Sequence, residues 1–228
     1  MSRGDLVALG AAVLVGAACT VTAEPTPSAI GGRYVALGDS YTVGTAVSSN
    51  DSWPSQLVGR LNGRLELVAN LGVNGYSTDD LIAAELPALD GLDPEFVTVQ
   101  IGVNDVVRGV PQVTYAANVE LILDELLKRL TPARILAVAT PDYTLTPAGS
   151  SFGDPAQQSA EIARFNDVLR SAAEARGIAF VADIYEISRR VASDPALVSG
   201  DGLHPSGAQY ALWVDAIQPV VEGLLAGS

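Results

Sequence analysis

The chain has 228 residues, 48% of them hydrophobic, which suits one globular domain with a sizeable core. Its net charge of -13 argues against nucleic acid as a partner and against electrostatic docking on anionic lipid. With one cysteine, Cys19, no intrachain disulfide can form. With one histidine, His204, no histidine-rich metal centre can be built, and any chemistry that needs an imidazole must use this one.

Behind Arg3 runs an uncharged apolar stretch, LVALGAAVLVGAA over residues 6–18, followed by small residues. A basic start, a short apolar core and small residues make the pattern of a secretory signal. Residues 1–23 are therefore expected to be a signal peptide or a lipoprotein signal, and the protein to be extracytoplasmic: secreted, periplasmic or lipid-anchored at the cell surface. Two processing routes fit. Gly16-Ala17-Ala18-Cys19 resembles a bacterial lipobox, except that Gly16 stands where leucine is usual, and would leave a lipid on Cys19 as the attachment to a membrane. Val21-Thr22-Ala23 instead offers small residues for cleavage before Glu24. A retained anchor is the third reading, but the stretch is barely long enough to span a bilayer. Residues 24–32, EPTPSAIGG, read as a tether, and residues 33–228 as the folded domain.

Within that domain the apolar pattern alternates in period. Residues 34–37 are a short buried strand ending at Gly38. Residues 55–61 are helical, 65–69 a second strand and 78–89 helical. Residues 96–101 are a third strand, rich in β-branched residues. A long amphipathic helix over 113–130 stops near Thr131-Pro132. Strand four covers 135–139, and a loop rich in Pro, Gly and Ser covers 140–155. A helix over 156–176 is capped by Gly177. Strand five covers 178–182, and a last helix covers 207–225. Alternating strands and helices with continuous apolar strands imply an α/β protein with a parallel sheet covered on both faces. Right-handed crossovers then place the strand C-terminal ends along one edge, where ligands bind in such folds.

Four short motifs fall at that edge. Gly38-Asp39-Ser40 follows strand one, which puts a serine in the strand-to-helix turn. Asn70-Leu71-Gly72-Val73-Asn74-Gly75 follows strand two, and its glycines let a backbone N–H approach a ligand. Gly102-Val103-Asn104-Asp105 follows strand three and offers an amide donor. Asp201-Gly202-Leu203-His204-Pro205 precedes the last helix, with a carboxylate close enough to bond the imidazole Nδ1–H and leave Nε2 free as a base. Each motif alone reads as an ordinary turn or cap. Together they supply a nucleophile, oxyanion donors and a base with its orienting carboxylate, the parts needed for acyl transfer.

With these blocks, ALGDSYT, NLGVNGYST, IGVND and DGLHPSG in that order, the sequence resembles the SGNH (GDSL-type) serine hydrolases from about Arg33 to the C-terminus. The resemblance implies a flavodoxin-like three-layer α/β/α sandwich on a five-stranded parallel sheet. It implies Ser40 as nucleophile, His204 as general base and Asp201 as its orienting acid. The oxyanion donors it implies are the Ser40 and Gly75 N–H groups and the Asn104 side chain, with Gly72 the alternative to Gly75. No metal or other cofactor is needed. Tyr41 replaces the leucine of the GDSL string and is expected to leave the catalytic atoms untouched, while Asp39 and Asp105 are expected to brace their turns.

Substrate is less marked. Tyr143 and Phe152, in the 140–155 loop, are candidates to line an acyl or alcohol pocket, and Trp53 and Trp213 read as core rather than as a sugar platform. The expected reaction is hydrolysis of a small-molecule, glycan or lipid ester with a short acyl group, by a monomer. An acyltransferase or carbohydrate acetylesterase acting on a cell-envelope glycan would use the same residues. An inactive binding scaffold would be expected to have lost at least one block.

Overall fold

The structure, a computed structural model, describes Met1 and residues 32–227. The expected signal and nearly all of the tether lie outside the described residues. Strand β1 (Gly32–Gly38) opens the fold and takes in Gly32, the last residue assigned to the tether. The short helix α1 (Ser40–Val43) and helix α2 (Trp53–Arg60) lead to β2 (Leu65–Asn70). A helical stretch over 78–91 then joins α3 (Thr78–Asp80), a π turn at Leu81–Glu85, α4 (Leu86–Ala88) and a 3₁₀ turn. Next come β3 (Phe96–Gln100), α5 (Val103–Val107), α6 (Gln112–Leu127) and β4 (Ile135–Val138). The chain ends with α7 (Pro155–Glu174), β5 (Ala179–Val181), α8 (Ile184–Ser188) and α9 (Gly207–Ala226).

The five strands form one sheet in the order β2-β1-β3-β4-β5, every neighbouring pair parallel. Every residue of the central strand β3 is buried, so Phe96, Val97 and Val99 form the middle of the core. Each such side chain contributes about 1.5–3 kcal/mol relative to exposure. The edge strands β2 and β5 are only partly covered, as expected of strands with one neighbour.

Helices cover both faces. On one, α2 packs against α9 through Trp53 and Leu57 facing Tyr210, Trp213, Val214 and Ile217. Apolar residues three and four apart form this stripe, and Tyr210 meets Trp213 edge-on at 5.0 Å between ring centres. On the other face α6 meets α7, with Tyr115 stacked on Phe165 at 4.2 Å. Trp53 and Trp213 are fully buried, in keeping with a core role.

The order β2-β1-β3 fixes where a ligand can sit. The chain leaves β1 toward one edge of the sheet and leaves β3 toward the other, so the loops after these neighbouring strands diverge and open a crevice. Ser40 and Asn104 stand just beyond the ends of those two strands. α1, α5 and α8, each five residues or shorter, lie outside the expected elements, because a periodic signal needs several turns to show.

Candidate active site

Asp39 caps α1, and its Oδ1 accepts the Tyr41 N–H at 2.9 Å. This places Ser40 at the first helical position. The Ser40 N–H is one that α1 cannot satisfy, and it has no acceptor among the described residues. Ser40 Oγ is likewise without a hydrogen-bond partner there. Ser40, Gly75, Asn104 and His204 line one cavity of about 190 Å³, together with Tyr41, Asn74, Val103, Val107, Tyr143, Phe152 and Leu203.

Gly75 and Gly72 are separated by their surroundings. Gly75 has φ +81 and open space where a side chain would be, and its N–H is free among the described residues. Gly72 lies behind the Ser40 turn, where a Cβ would come within 2.7 Å of the Val43 nitrogen and 2.8 Å of the Asp39 carbonyl. Gly72 therefore lets the second loop lie flat on the first, and Gly75 is the glycine that reaches the cavity. Asn104 Nδ2 donates to the Tyr76 carbonyl at 2.9 Å, which fixes the amide and leaves its second N–H available.

The Asp201–His204 loop is closed by an antiparallel bridge between Val198 and Pro205 and by the Ser199 N–H to His204 carbonyl bond of 2.8 Å. Asp201 Oδ2 lies 2.6 Å from His204 Nδ1. Asp201 Oδ1 accepts from Ser199 Oγ at 2.7 Å, Leu203 N at 2.9 Å and His204 N at 3.0 Å. Partial burial alone would push the Asp201 carboxyl up. The bonds from His204, Leu203 and Ser199 outweigh it and hold the carboxyl well below the usual range. In the neutral imidazole, an ionised Asp201 places the proton on Nδ1 and the lone pair on Nε2. Ser199 was not singled out from the sequence, and Ser199-Gly200-Asp201 carries the signal of a hydroxyl two residues before a loop carboxylate.

Two expectations are extended. Tyr41 does more than stand beside the nucleophile: its ring, nearly fully buried, packs on the imidazole at 5.4 Å between ring centres and lies 6.3 Å from the centre of the Trp213 ring. Asp105 braces a neighbouring segment as well as its own turn. Its carboxylate accepts the Thr78 N–H at 3.0 Å and the Thr78 hydroxyl at 2.5 Å, tying the loop after β3 to the helix after β2.

The 140–155 loop reaches the cavity with Tyr143 and Phe152, which meet edge-on at 5.5 Å. It is anchored from below. Asn166 accepts the Thr140 N–H at 2.8 Å, and the fully buried Asp142 side chain accepts from Thr144 and Ser159 and pairs with Arg189. Arg189 follows α8, so an element missed in the sequence holds a cavity wall in place. Among the described residues no group of three or more His, Cys, Asp or Glu side chains could hold a metal ion, and no helix is long and apolar enough to cross a membrane.

A model of the GDSL-like lipase/acylhydrolase family matches residues 36–212, which span all four motif blocks. The chain belongs to that family. It is accordingly a carboxylic ester hydrolase. It is 26% identical over 178 residues to an arylesterase from Vibrio mimicus, covering 76% of this chain and 80% of that protein. Two solved structures share the fold. One is an α/β hydrolase enzyme from the metagenome of Lake Arreo, Spain, with TM-score 0.66 and 22% identity over 86% of this chain and 97% of that one. The other is an acetyl xylan esterase from Geobacillus stearothermophilus, with TM-score 0.66 and 21% identity over 84% of this chain and 94% of that one.

Proposed function

We propose that this family member is an exported serine esterase that hydrolyses short-acyl carboxylic esters through an acyl-enzyme on Ser40. The observation that carries the reading is the 2.6 Å bond between Asp201 and His204 Nδ1 at a cavity that Ser40 also lines. In this scheme Nε2 of His204 takes the hydroxyl proton as Ser40 Oγ attacks the ester carbonyl, and the imidazolium then protonates the leaving alcohol. The Ser40 and Gly75 N–H groups and the free Asn104 N–H receive the oxyanion. A water molecule, deprotonated by His204, then attacks the acyl-enzyme and releases the acid and Ser40.

A short acyl group fits the size of the cavity, about 190 Å³, against roughly 300–1,000 Å³ for pockets that take drug-sized ligands. Its walls at Val103, Val107, Tyr143 and Phe152 suit an apolar acyl chain or methyl. Export rests on the apolar run over residues 6–18.

The test is turnover of p-nitrophenyl acetate, butyrate and octanoate by the purified protein beside Ser40→Ala. The expected result is acetate or butyrate turnover well above octanoate, falling on the order of a million-fold in the variant. Equal turnover by Ser40→Ala would remove the nucleophile assignment, and octanoate preference would remove the short-acyl one.

A further inference from the structure

The floor beneath Ser40 holds two buried carboxyl groups, Asp39 and Glu85, that the acyl-transfer scheme does not use. Glu85 is 3% exposed. It ends the π turn Leu81–Glu85, where the Leu86 N–H bonds back to the Leu81 carbonyl across an extra residue. Such turns widen a helix locally and recur at functional sites. Glu85 also stands on the buried stripe of its helical stretch, between Leu81 and Leu89, where an apolar residue would be the ordinary choice.

Its Oε2 accepts the Gly38 N–H at 2.8 Å. Gly38 is the last residue of β1 and has φ +152. A Cβ there would lie 2.3 Å from both the Gln100 carbonyl and Thr42 Oγ1, so no side chain of its own can steady the turn. The turn is held by hydrogen bonds instead: Gly38 receives the Val73 N–H on its carbonyl at 3.2 Å and gives its own N–H to Glu85.

We propose that Glu85 is a positioning residue for the nucleophile, fixing the Gly38 N–H and through it the Gly38-Asp39-Ser40 turn that presents the Ser40 hydroxyl and N–H to the cavity. The inference rests on the reading of Ser40 as nucleophile.

The chemistry of the floor says in which form Glu85 does this. Glu85 Oε1 and Asp39 Oδ2 are buried and lack a partner among the described residues. Burial pushes Glu85 up to about 8, against the Gly38 bond, with the Asp39 charge adding to the rise. Burial likewise pushes Asp39 up to about 7, and the Asp105 charge on α5 also raises it. The phenols of Tyr41, Tyr115 and Tyr210 also feel Asp39, and among the described residues no basic side chain acts on either carboxyl. Burial raises both carboxyls, so the floor resists carrying two charges at once. A second negative charge arriving as pH rises past about 8 has no counter-charge, and it loosens the turn.

The experiment uses the full-length protein, Glu85→Gln and Glu85→Ala, with kcat and KM for p-nitrophenyl acetate measured from pH 6 to 9 and thermal unfolding recorded alongside. A serine-reactive fluorophosphonate, with the labelled peptide mapped, reports separately whether Ser40 is the nucleophile. Glu85→Ala is expected to lower kcat on the order of ten- to a hundred-fold with KM nearly unchanged, the cost of a misplaced nucleophile. Glu85→Gln keeps an acceptor for Gly38 and cannot ionise. It is expected to restore most of the neutral-pH kcat and to remove a decline in wild-type kcat above pH 8. If Glu85→Ala does not fold, the alkaline profile of Glu85→Gln decides. A folded Glu85→Ala variant that keeps wild-type kcat, with only the melting temperature changed, overturns the positioning role, and a Glu85→Gln profile that superimposes on wild type above pH 8 overturns the alkaline loosening. Failure of the probe to label Ser40 overturns the nucleophile reading itself, whatever Glu85 does.

Discussion

Two groups of carboxyls flank the same cavity and are driven in opposite directions. Asp201 sits in a surface loop with its side chain one-third exposed, and hydrogen bonds from Ser199, Leu203 and the backbone N–H and Nδ1 of His204 surround it. Asp39 is fully buried and receives the Tyr41 N–H, and Glu85 receives the Gly38 N–H, each keeping one oxygen without a partner among the described residues. Donors win over burial at Asp201, which is held low; burial wins at Asp39 and Glu85, which are pushed up to about 7 and about 8. The number of donors aimed at a carboxylate, rather than its nearness to the nucleophile, decides which charge the site carries.

The strongest way to break this comparison is Asp201→Asn. Three donors converge on Oδ1, so the amide oxygen takes that place and its NH2 faces Nδ1 as a donor, which drives the imidazole to the wrong tautomer. Turnover is expected to fall about ten-thousand-fold with the fold intact, measured as kcat on p-nitrophenyl acetate. A loss of less than tenfold would mean that Asp201 does not orient His204.

A smaller effect tests the opposite wall. Asn104→Ala removes the amide held by the Tyr76 carbonyl and is expected to lower kcat about a hundred- to a thousand-fold, with little change in KM. Near-normal turnover would take Asn104 out of the oxyanion site.

The smallest effect sharpens the contrast through stability. A carboxyl raised by burial binds a proton in the folded state that the unfolded chain has already lost. Asp39 therefore makes stability fall as pH rises from its ordinary value near 3.8 through about 7. Asp201 acts in the other sense: its contribution is present above its ordinary range and is lost only as strongly acid pH protonates it. Asp39→Asn keeps the acceptor for the Tyr41 N–H. It is expected to gain on wild type by a melting-temperature difference on the order of 3 °C between pH 5 and pH 8, read by circular dichroism. A constant difference across that window would mean that Asp39 is ionised throughout.

The alternation of short apolar runs with amphipathic segments was enough to give the α/β class, the five strands and the edge at which Ser40, Gly75, Asn104 and the Asp201–His204 loop meet. Those features are local: a strand shows in its β-branched run, and the loops after strands follow from handedness. The bounds of the long helices shifted by a few residues, since helix ends are set by caps and neighbours as much as by period. The resemblance put Gly75 ahead of Gly72, and packing adds a separate reason to tell them apart, since only the fold shows that Gly72 lies against the Ser40 turn and Gly75 faces open space.

Other decisions belong to contacts between residues distant in the chain. Tyr41 meets His204 across 163 positions of sequence, Arg189 reaches Asp142 from beyond β5, and Glu85 reaches Gly38 from the far side of β2. The sequence by itself determined which chemical groups are present and at which end of which strand they emerge. Tertiary structure alone decided how much water and how many donors each carboxyl keeps, because burial is a property of the whole packed chain and not of any segment of it.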